Sequence, residues 1–411
     1  MIRRYINQEI AAALKDTPVV LLNGARQTGK TTLLKELAAS TGASYFTLDD
    51  AGTHAAASLD PQGFICNIRG RVAIDEVQKA PGLFPAIKLA VDNDRAPGRF
   101  LLTGSSNVLT LPKISESLAG RMQIVRLFPF AQAELKESGR NIVDLLFSEG
   151  PIPPVSTGLS GADLAELIMR GGFPEAVARE DAQRRDAWFS SYITTIIQRD
   201  LRDIANLEGL VQLPTLLKIV ASRAAGLLNA ADISRTAGIP NTTLNRYLAF
   251  LEMIFLIKRL AAWHINPGKR LVKAPKIHIC DSGLACHLAG VSGNFREGNL
   301  LKGPMFESFV LSELEKQGSW SSVRPEFFHA RTASGAEVDI VMEDRLGRVV
   351  GIEVKASAAV SAGDFRGLTV LGDLAEGRML RQVVVYAGET MIPFGSGRFA
   401  LPVGMLWSLA S

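Results

Sequence analysis

Three cysteines in 411 residues, Cys66, Cys280 and Cys286, are too few and too irregularly spaced for a disulfide framework or a zinc site. They read as buried reduced thiols. The five histidines, His54, His264, His278, His287 and His329, do not cluster, so each is taken as a packed or surface imidazole rather than a catalytic base. Trp188, Trp263, Trp320 and Trp407 are equally dispersed and read as core or interface anchors. No run approaches the ~18 uninterrupted apolar residues of a membrane span. The nearest, residues 248–257, is short and contains Glu252. The opening Met1-Ile2-Arg3-Arg4-Tyr5 lacks the apolar stretch of a signal peptide, which points to the cytoplasm and to no membrane partner. A strong excess of either charge is also missing. The net charge of +4 permits a polyanionic partner without requiring one.

What remains is a globular composition, 47% hydrophobic and 21% charged, in a chain too long for one core. The patterning divides it. Apolar strand-like runs at 19–22, 45–48, 72–74, 100–103 and 123–127 alternate with helical stretches, the signature of a parallel α/β sheet. Residues 148–161 are rich in proline and glycine and read as a linker. Residues 163–260 are mostly helical, and the last region mixes an amphipathic helix with several strands. The expected domains are a parallel-sheet α/β core over 1–150, a helical lid or linker over 151–215, a winged helix-turn-helix over 216–295 and an α/β domain over 296–411.

Residues 24–31 complete the phosphate-loop pattern G-x-x-x-x-G-K-[ST], with the run Val19-Val20-Leu21-Leu22 before it and a helix-prone stretch after it. In such a loop the glycines let successive backbone N–H groups wrap around a triphosphate at a helix N-terminus. Gly24, Ala25, Arg26, Gln27, Thr28, Gly29, Lys30, Thr31 and Thr32 are therefore the expected ATP-binding segment. Lys30 would reach the β- and γ-phosphates, and the Thr31 hydroxyl would hold Mg²⁺. Downstream, Val72-Ala73-Ile74-Asp75-Glu76 is an apolar strand ending in two acids, Asp75 to support Mg²⁺ and Glu76 to polarise the attacking water. The strand tip Thr103-Gly104-Ser105-Ser106-Asn107 offers hydroxyls and an amide that either sense the γ-phosphate or simply form a turn. Arg121 is a candidate arginine finger, with a surface cation as the alternative.

Residues 230–251 read as two helices around a tight turn, Ala237-Gly238-Ile239-Pro240, with Asn241 capping the second. Ile233, Ala237, Leu244, Leu248 and Leu251 share one face, while Thr243, Asn245 and Arg246 point away. This is the layout of a helix-turn-helix, with residues 255–260 as a wing strand. Two readings stay open. On DNA, Arg235, Arg246, Lys258 and Arg259 would meet phosphates and Asn245 a base edge; otherwise the module docks protein.

Near the C-terminus, residues 336–342 and 349–355 alternate as strands joined by a turn. Folding about Leu346 brings Asp339 opposite Glu353, and Lys355 shares the face of Glu353. Two carboxylates and a lysine on one spot suit a Mg²⁺ site that activates water for attack on a phosphodiester.

Residues 24–32, Ile74-Asp75-Glu76-Val77-Gln78-Lys79-Ala80-Pro81, Leu102-Thr103-Gly104-Ser105-Ser106 and Ser115-Glu116-Ser117-Leu118-Ala119-Gly120-Arg121 resemble the prokaryotic AAA-type ATPases that carry a C-terminal domain of unknown function, DUF4143. Gly171-Gly172-Phe173-Pro174-Glu175, Gln198-Arg199-Asp200-Leu201, Cys280-Asp281-Ser282-Gly283-Leu284-Ala285 and residues 303–314 extend the resemblance over nearly the whole chain. It implies an AAA+-like core and a homo-oligomer, a ring among the options, in which Arg121 enters a neighbour's site. The C-terminal hairpin resembles the PD-(D/E)xK nuclease core, with Asp339 as the motif aspartate and Glu353-x-Lys355 as its E-x-K. By that resemblance Glu307 is the extra acid of the first helix, and Glu307, Asp339 and Glu353 are metal ligands with Lys355 catalytic. Two functions follow: an ATP-driven enzyme processing branched or duplex DNA, or a regulatory nucleotide switch whose C-terminal domain docks without cutting. RNA is a lesser polyanion.

Overall fold

A computed structural model describes residues 2–104, 118–204, 212–266, 268, 270, 273–291, 303–332 and 335–409. The chain forms two compact units. The smaller comprises Arg4–Pro129 with Met253–Phe255, and the larger comprises Phe130–Glu252 and Leu256–Ser411 with Met1–Arg3. Among the described residues no helix is long and apolar enough to cross a membrane.

In the smaller unit, strands β1 (Val19–Asn23), β2 (Ser44–Thr47), β3 (Val72–Asp75), β4 (Phe100–Gly104) and β5 (Met122–Arg126) form one parallel sheet in the order β2-β3-β4-β1-β5. The five strand-like runs seen in the sequence are these five strands. Val19, Val20, Leu21 and Leu22 are completely buried because helices cover both faces of a parallel sheet, so its central strands are continuously apolar. Phe84, Ile87 and Val91 recur at helical spacing on helix Leu83–Asn93 and pack with Ile74, Phe100 and Leu102 of the sheet. The chain leaves β1 for β2, returns through β3 and β4, then crosses to β5 on the other side of β1. That reversal opens a crevice at the carboxyl end of β1, where α/β sheets bind their ligands.

The larger unit carries a six-stranded mixed sheet in the order β12-β13-β11-β10-β9-β8. Its strands are β8 (Glu326–Arg331), β9 (Glu337–Glu343), β10 (Val349–Lys355), β11 (Met379–Tyr386), β12 (Ile392–Pro393) and β13 (Arg398–Pro402). β9 and β10 are the expected antiparallel hairpin, paired from Val349↔Glu343 to Ile352↔Ile340. Asp344 closes the turn by accepting the N–H groups of Leu346 and Arg348 at 2.9 and 2.8 Å.

Helix Gly303–Gly318 is not amphipathic as its sequence suggests. Glu313, Lys316 and Gln317 are all buried, and each is met by donors or acceptors. The Glu313 carboxylate accepts from the Gln132 N–H at 2.7 Å and from Lys316 Nζ at 2.8 Å. Lys316 also donates to the Phe130 carbonyl at 3.0 Å. Gln317 donates to the Leu406 carbonyl at 2.6 Å and accepts from the Ile142 N–H at 3.1 Å. These bonds bind residues 130–142 into the larger unit, so the smaller unit stops at Pro129, short of residue 150.

The helical part holds Ala230–Ala237 and Asn241–Met253 around the Gly238 turn, followed by the antiparallel pair β6 (Ile257–Leu260) and β7 (Lys276–Ile279). The thiols differ from the reading of three buried cysteines: Cys286 is buried, Cys280 half-buried and Cys66 exposed.

Two distant motifs meet at Asp281, which is completely buried. It caps helix Ser282–Leu288 by accepting the Leu284 N–H at 3.0 Å, and its second oxygen accepts the Gly172 N–H at 2.8 Å. A Cβ on Gly172 would fall 2.2 Å from the Phe130 carbonyl oxygen, so only glycine fits. Asp281→Ala orphans two buried N–H groups, each at about 1–3 kcal/mol. Denaturant unfolding should show a loss of about 3 kcal/mol, with Asp281→Asn intermediate; a loss within about 0.5 kcal/mol, the range of an ordinary surface substitution, would refute the latch.

Candidate functional site

The phosphate loop connects β1 to helix Lys30–Thr41 at the crevice of the parallel sheet. Gly24 lies against β5's end: a Cβ there would sit 2.2 Å from the Leu127 carbonyl oxygen. Gln27 and Gly29 both take left-handed backbone angles, φ 61° and 96°, which turns the loop back upon itself. Thr28 is wholly buried and donates to the Ala25 carbonyl at 3.0 Å. Lys30 is nearly buried and folds into the loop, donating to the carbonyls of Gly24 and Ala25 at 2.9 and 2.8 Å.

The Thr31 hydroxyl donates to Asp75 Oδ2 at 2.8 Å, joining the loop to the acid at the end of β3. Asp75 is 1% exposed and three hydroxyls serve it. Beside Thr31 these are Tyr45 Oη, at 3.2 Å, and Thr103 Oγ1, at 2.5 Å. The Thr103 oxygen also accepts the Glu76 N–H at 2.9 Å, so one β4 side chain positions both acids. Glu76 stands in the left-handed region, φ 58°, with its carboxylate bonded to Gln78 and 3.9 Å from the Arg26 guanidinium. Thr31 and Asp75 thus converge as an oxygen pair suited to one Mg²⁺. Burial and the Asp75 charge push the Tyr45 phenol up to about 12, so Tyr45 remains a hydrogen-bond donor.

Sequence reasoning found the loop and the acid pair but missed Tyr45, which gives no local signal. Arg121 is not brought to the loop. Its carbonyl accepts the Val19 N–H, which puts it at the opposite, amino end of the sheet, where its side chain bonds Asp92 at 2.6 Å. Ser105, Ser106, Asn107 and residues 115–117 lie outside the described residues.

In the larger unit Asp339 lies across from Glu353, one step beyond the last paired residues, Ile340 and Ile352. The Val354 N–H bonds Asp339 Oδ2 at 3.0 Å in place of a ladder partner. Between Asp339 and Glu307 sits a lysine that the sequence reading did not single out. Lys276, 1% exposed, donates to Glu307 Oε1 at 2.9 Å and Asp339 Oδ1 at 3.1 Å, and pairs with Glu337 at 2.9 Å. Lys355 instead pairs with Glu353, at 3.1 Å. Glu307, Asp339 and Glu353 thus line one cleft with lysines paired to them, and among the described residues no group of three His, Cys, Asp or Glu side chains is placed to hold a metal ion.

Two lysines do not neutralise this many acids. Burial, then the Asp339 charge, push Glu307 up to about 9 and Glu353 up to about 7. Burial works against the Lys276 ammonium, yet Asp339 and Glu307 outweigh it and hold its pKa above the ordinary lysine value. An open cleft of about 490 Å³ reaches this cluster, lined also by Arg223, Asn229 and Lys355.

On the helix pair, Asn245 and Arg246 are exposed as expected and Thr243 is half-buried. Lys258 and Arg259, expected to meet phosphates, are bonded to Glu315 and Glu252.

Three family models match successive parts of the chain: an AAA domain over 16–136, a domain of unknown function, DUF8612, over 161–294, and DUF4143 over 302–406. An uncharacterized protein of Mycobacterium tuberculosis is 30% identical over 410 residues, covering 100% of this chain and 85% of that one. One of Haemophilus influenzae is 25% identical over 258 residues, covering 60% and 57%. Among solved structures, the Thermotoga maritima RuvB Holliday junction branch migration motor overlaps 62% of this chain and 88% of its own at 18% identity, with a TM-score of 0.31. AMPPCP-bound DnaA from Aquifex aeolicus overlaps 61% and 87% at 12% identity, with a TM-score of 0.29. Overlaps this shallow carry no weight for function.

His329 is buried near Lys276, and burial, then the ammonium charge, hold its pKa down to about 4. Nε2 bonds the Ala274 carbonyl at 3.2 Å, while among the described residues Nδ1 has no hydrogen-bond partner. From about pH 6.5 down to 4 the unfolded chain takes up a proton here that the folded chain refuses, so this contribution to stability is lost as pH falls. His329→Gln should make the stability-versus-pH curve shallower by up to about 1.4 kcal/mol per pH unit in that window. Parallel curves for the two proteins would exclude the effect.

Proposed function

We infer that this chain, which belongs to the family of AAA-domain proteins carrying a C-terminal DUF4143 domain, is an ATP-hydrolysing enzyme that acts on DNA. The observation that carries the hydrolysis is the 2.8 Å bond from Thr31 to Asp75, which ties the phosphate loop to the acid strand. In that geometry, the loop N–H groups and Lys30 bind the phosphates, Lys30 exchanging the Gly24 and Ala25 carbonyls for phosphate oxygens. Thr31 and Asp75 would hold Mg²⁺, which supplies charge neutralisation on the β- and γ-phosphates. Glu76, held by its N–H to Thr103, orients water and takes its proton. Arg121 is too far along the sheet to serve its own loop, so a finger role requires a neighbouring copy in a homo-oligomer.

The DNA reading is supported by Asn245 and Arg246, exposed on the second of two helices around a tight turn and followed by a β-ladder. The C-terminal domain binds rather than cuts, because Lys276 stands among the carboxylates that a nuclease metal needs. That same observation favours a second reading, a regulatory nucleotide switch in which this domain docks a partner.

ATP turnover measured with single-strand, duplex, forked and four-way DNA separates the two. The expected result is stimulation by at least one DNA, with Lys30→Ala losing about a hundredfold or more of the rate. Glu76→Gln should still bind ATP but lower kcat by about 10²–10³-fold. A rate indifferent to every nucleic acid leaves the switch standing.

A further inference from the structure

Two of the acids expected to hold a metal, Glu307 and Asp339, meet an ammonium instead. Lys276 opens β7, and its backbone is fixed on both sides, by Leu260 of β6 and by a bridge to Leu227. Its side chain is almost wholly buried, 2% exposed. An ammonium offers three N–H donors. Here three carboxylate oxygens take them, from Glu307, Glu337 and Asp339, at 2.9, 2.9 and 3.1 Å. The other Asp339 oxygen is committed to the Val354 N–H, and Glu353 Oε1 to Lys355.

A magnesium ion would need these oxygens at about 2.0–2.1 Å and would bring two charges into the same space. With Lys276 in place, the ion would face a buried like charge within a few ångströms. Expelling the ammonium would strand it in a low-dielectric interior without its carboxylates, a larger loss than one surface ion pair. The three donors of the Lys276 ammonium are thus matched by three carboxylate oxygens, while Glu353 Oε2 is left without a hydrogen-bond partner among the described residues, and a divalent ion does not fit between Glu307 and Asp339 while the ammonium is there.

We propose that Lys276 is the resident cation of this site: its ammonium holds Glu307, Glu337 and Asp339 in place, and the C-terminal domain takes no divalent cation among them. Lys276 is a positioning residue in this arrangement. It offsets part of the acids' charge but cannot accept electron pairs from water or phosphate as a metal ion does, so the cluster organises the cleft without activating a nucleophile. The proposal is independent of the nucleotide site, and it is tested with no nucleotide present.

Mn²⁺ binding to the full-length protein is counted by the loss of the free-ion paramagnetic resonance signal. Subtracting the matching Asp339→Asn protein isolates this site from the phosphate loop. Wild type and Asp339→Asn should take up the same amount of Mn²⁺. Lys276→Gln should bind one more ion per chain than Lys276→Gln/Asp339→Asn, and Lys276→Arg, which restores the charge, should bind none extra. A purely structural lysine would not change the metal count. An Asp339-dependent ion in wild type at sub-millimolar Mn²⁺ overturns the proposal. So does a Lys276→Gln protein with unchanged circular dichroism that gains no ion. If Lys276→Gln does not fold, the comparison of wild type with Asp339→Asn decides alone: equal uptake upholds the proposal and an extra ion in wild type ends it.

Discussion

A carboxylate removed from water must be met by donors, and the organisation of this chain follows from four places where that happens. Asp75 is met by three hydroxyls from three different segments, which brings the phosphate loop, β2 and β4 to one point. Asp281 is met by two backbone N–H groups more than a hundred residues apart. Glu313 is met by a lysine one turn away and by the backbone of Gln132. Glu307 is met by Lys276. Each is an interior acid whose removal would leave its partners unsatisfied, so each fixes the relative placement of the elements it joins.

The two clusters of chemistry differ in how that satisfaction is arranged. Around Asp75 the donors are neutral hydroxyls, which can reorient towards a cation that arrives with a nucleotide. Around Glu307 and Asp339 the donor is itself a cation with a full positive charge. The first arrangement could admit a metal ion, whereas the second already holds a cation. The same residue types on the same kind of strand end therefore lead to opposite expectations about metal.

Much of this was legible in the sequence where the determinants are local. Apolar runs predict β1 to β5, the glycine spacing predicts the phosphate loop, and the alternation from 336 to 355 predicts the hairpin with Asp339 across from Glu353. What was not legible arises from side chains that meet across long separations. Lys276 contacts acids 31 and 63 residues away, and a lysine opening a short apolar strand gives no hint that its end is buried. Tyr45 lies 30 residues from Asp75 and carries no motif. Helix Gly303–Gly318 misleads for a related reason: Glu313, Lys316 and Gln317 look like a solvated face until their partners from 130–142 and Leu406 are in place. Period alone reports polarity, not whether that polarity will be bonded inside.

The posture of Lys30 has a consequence for selectivity. By turning its ammonium onto the Gly24 and Ala25 carbonyls, the loop supplies itself with an internal ligand. Any incoming anion is then a competitor rather than a first occupant. A single small oxyanion replaces two short bonds with little to spare. A chain of linked phosphates would replace them and also meet the helix end and the Thr31 hydroxyl, so a loop closed on its own lysine would favour the longer anion over the shorter one.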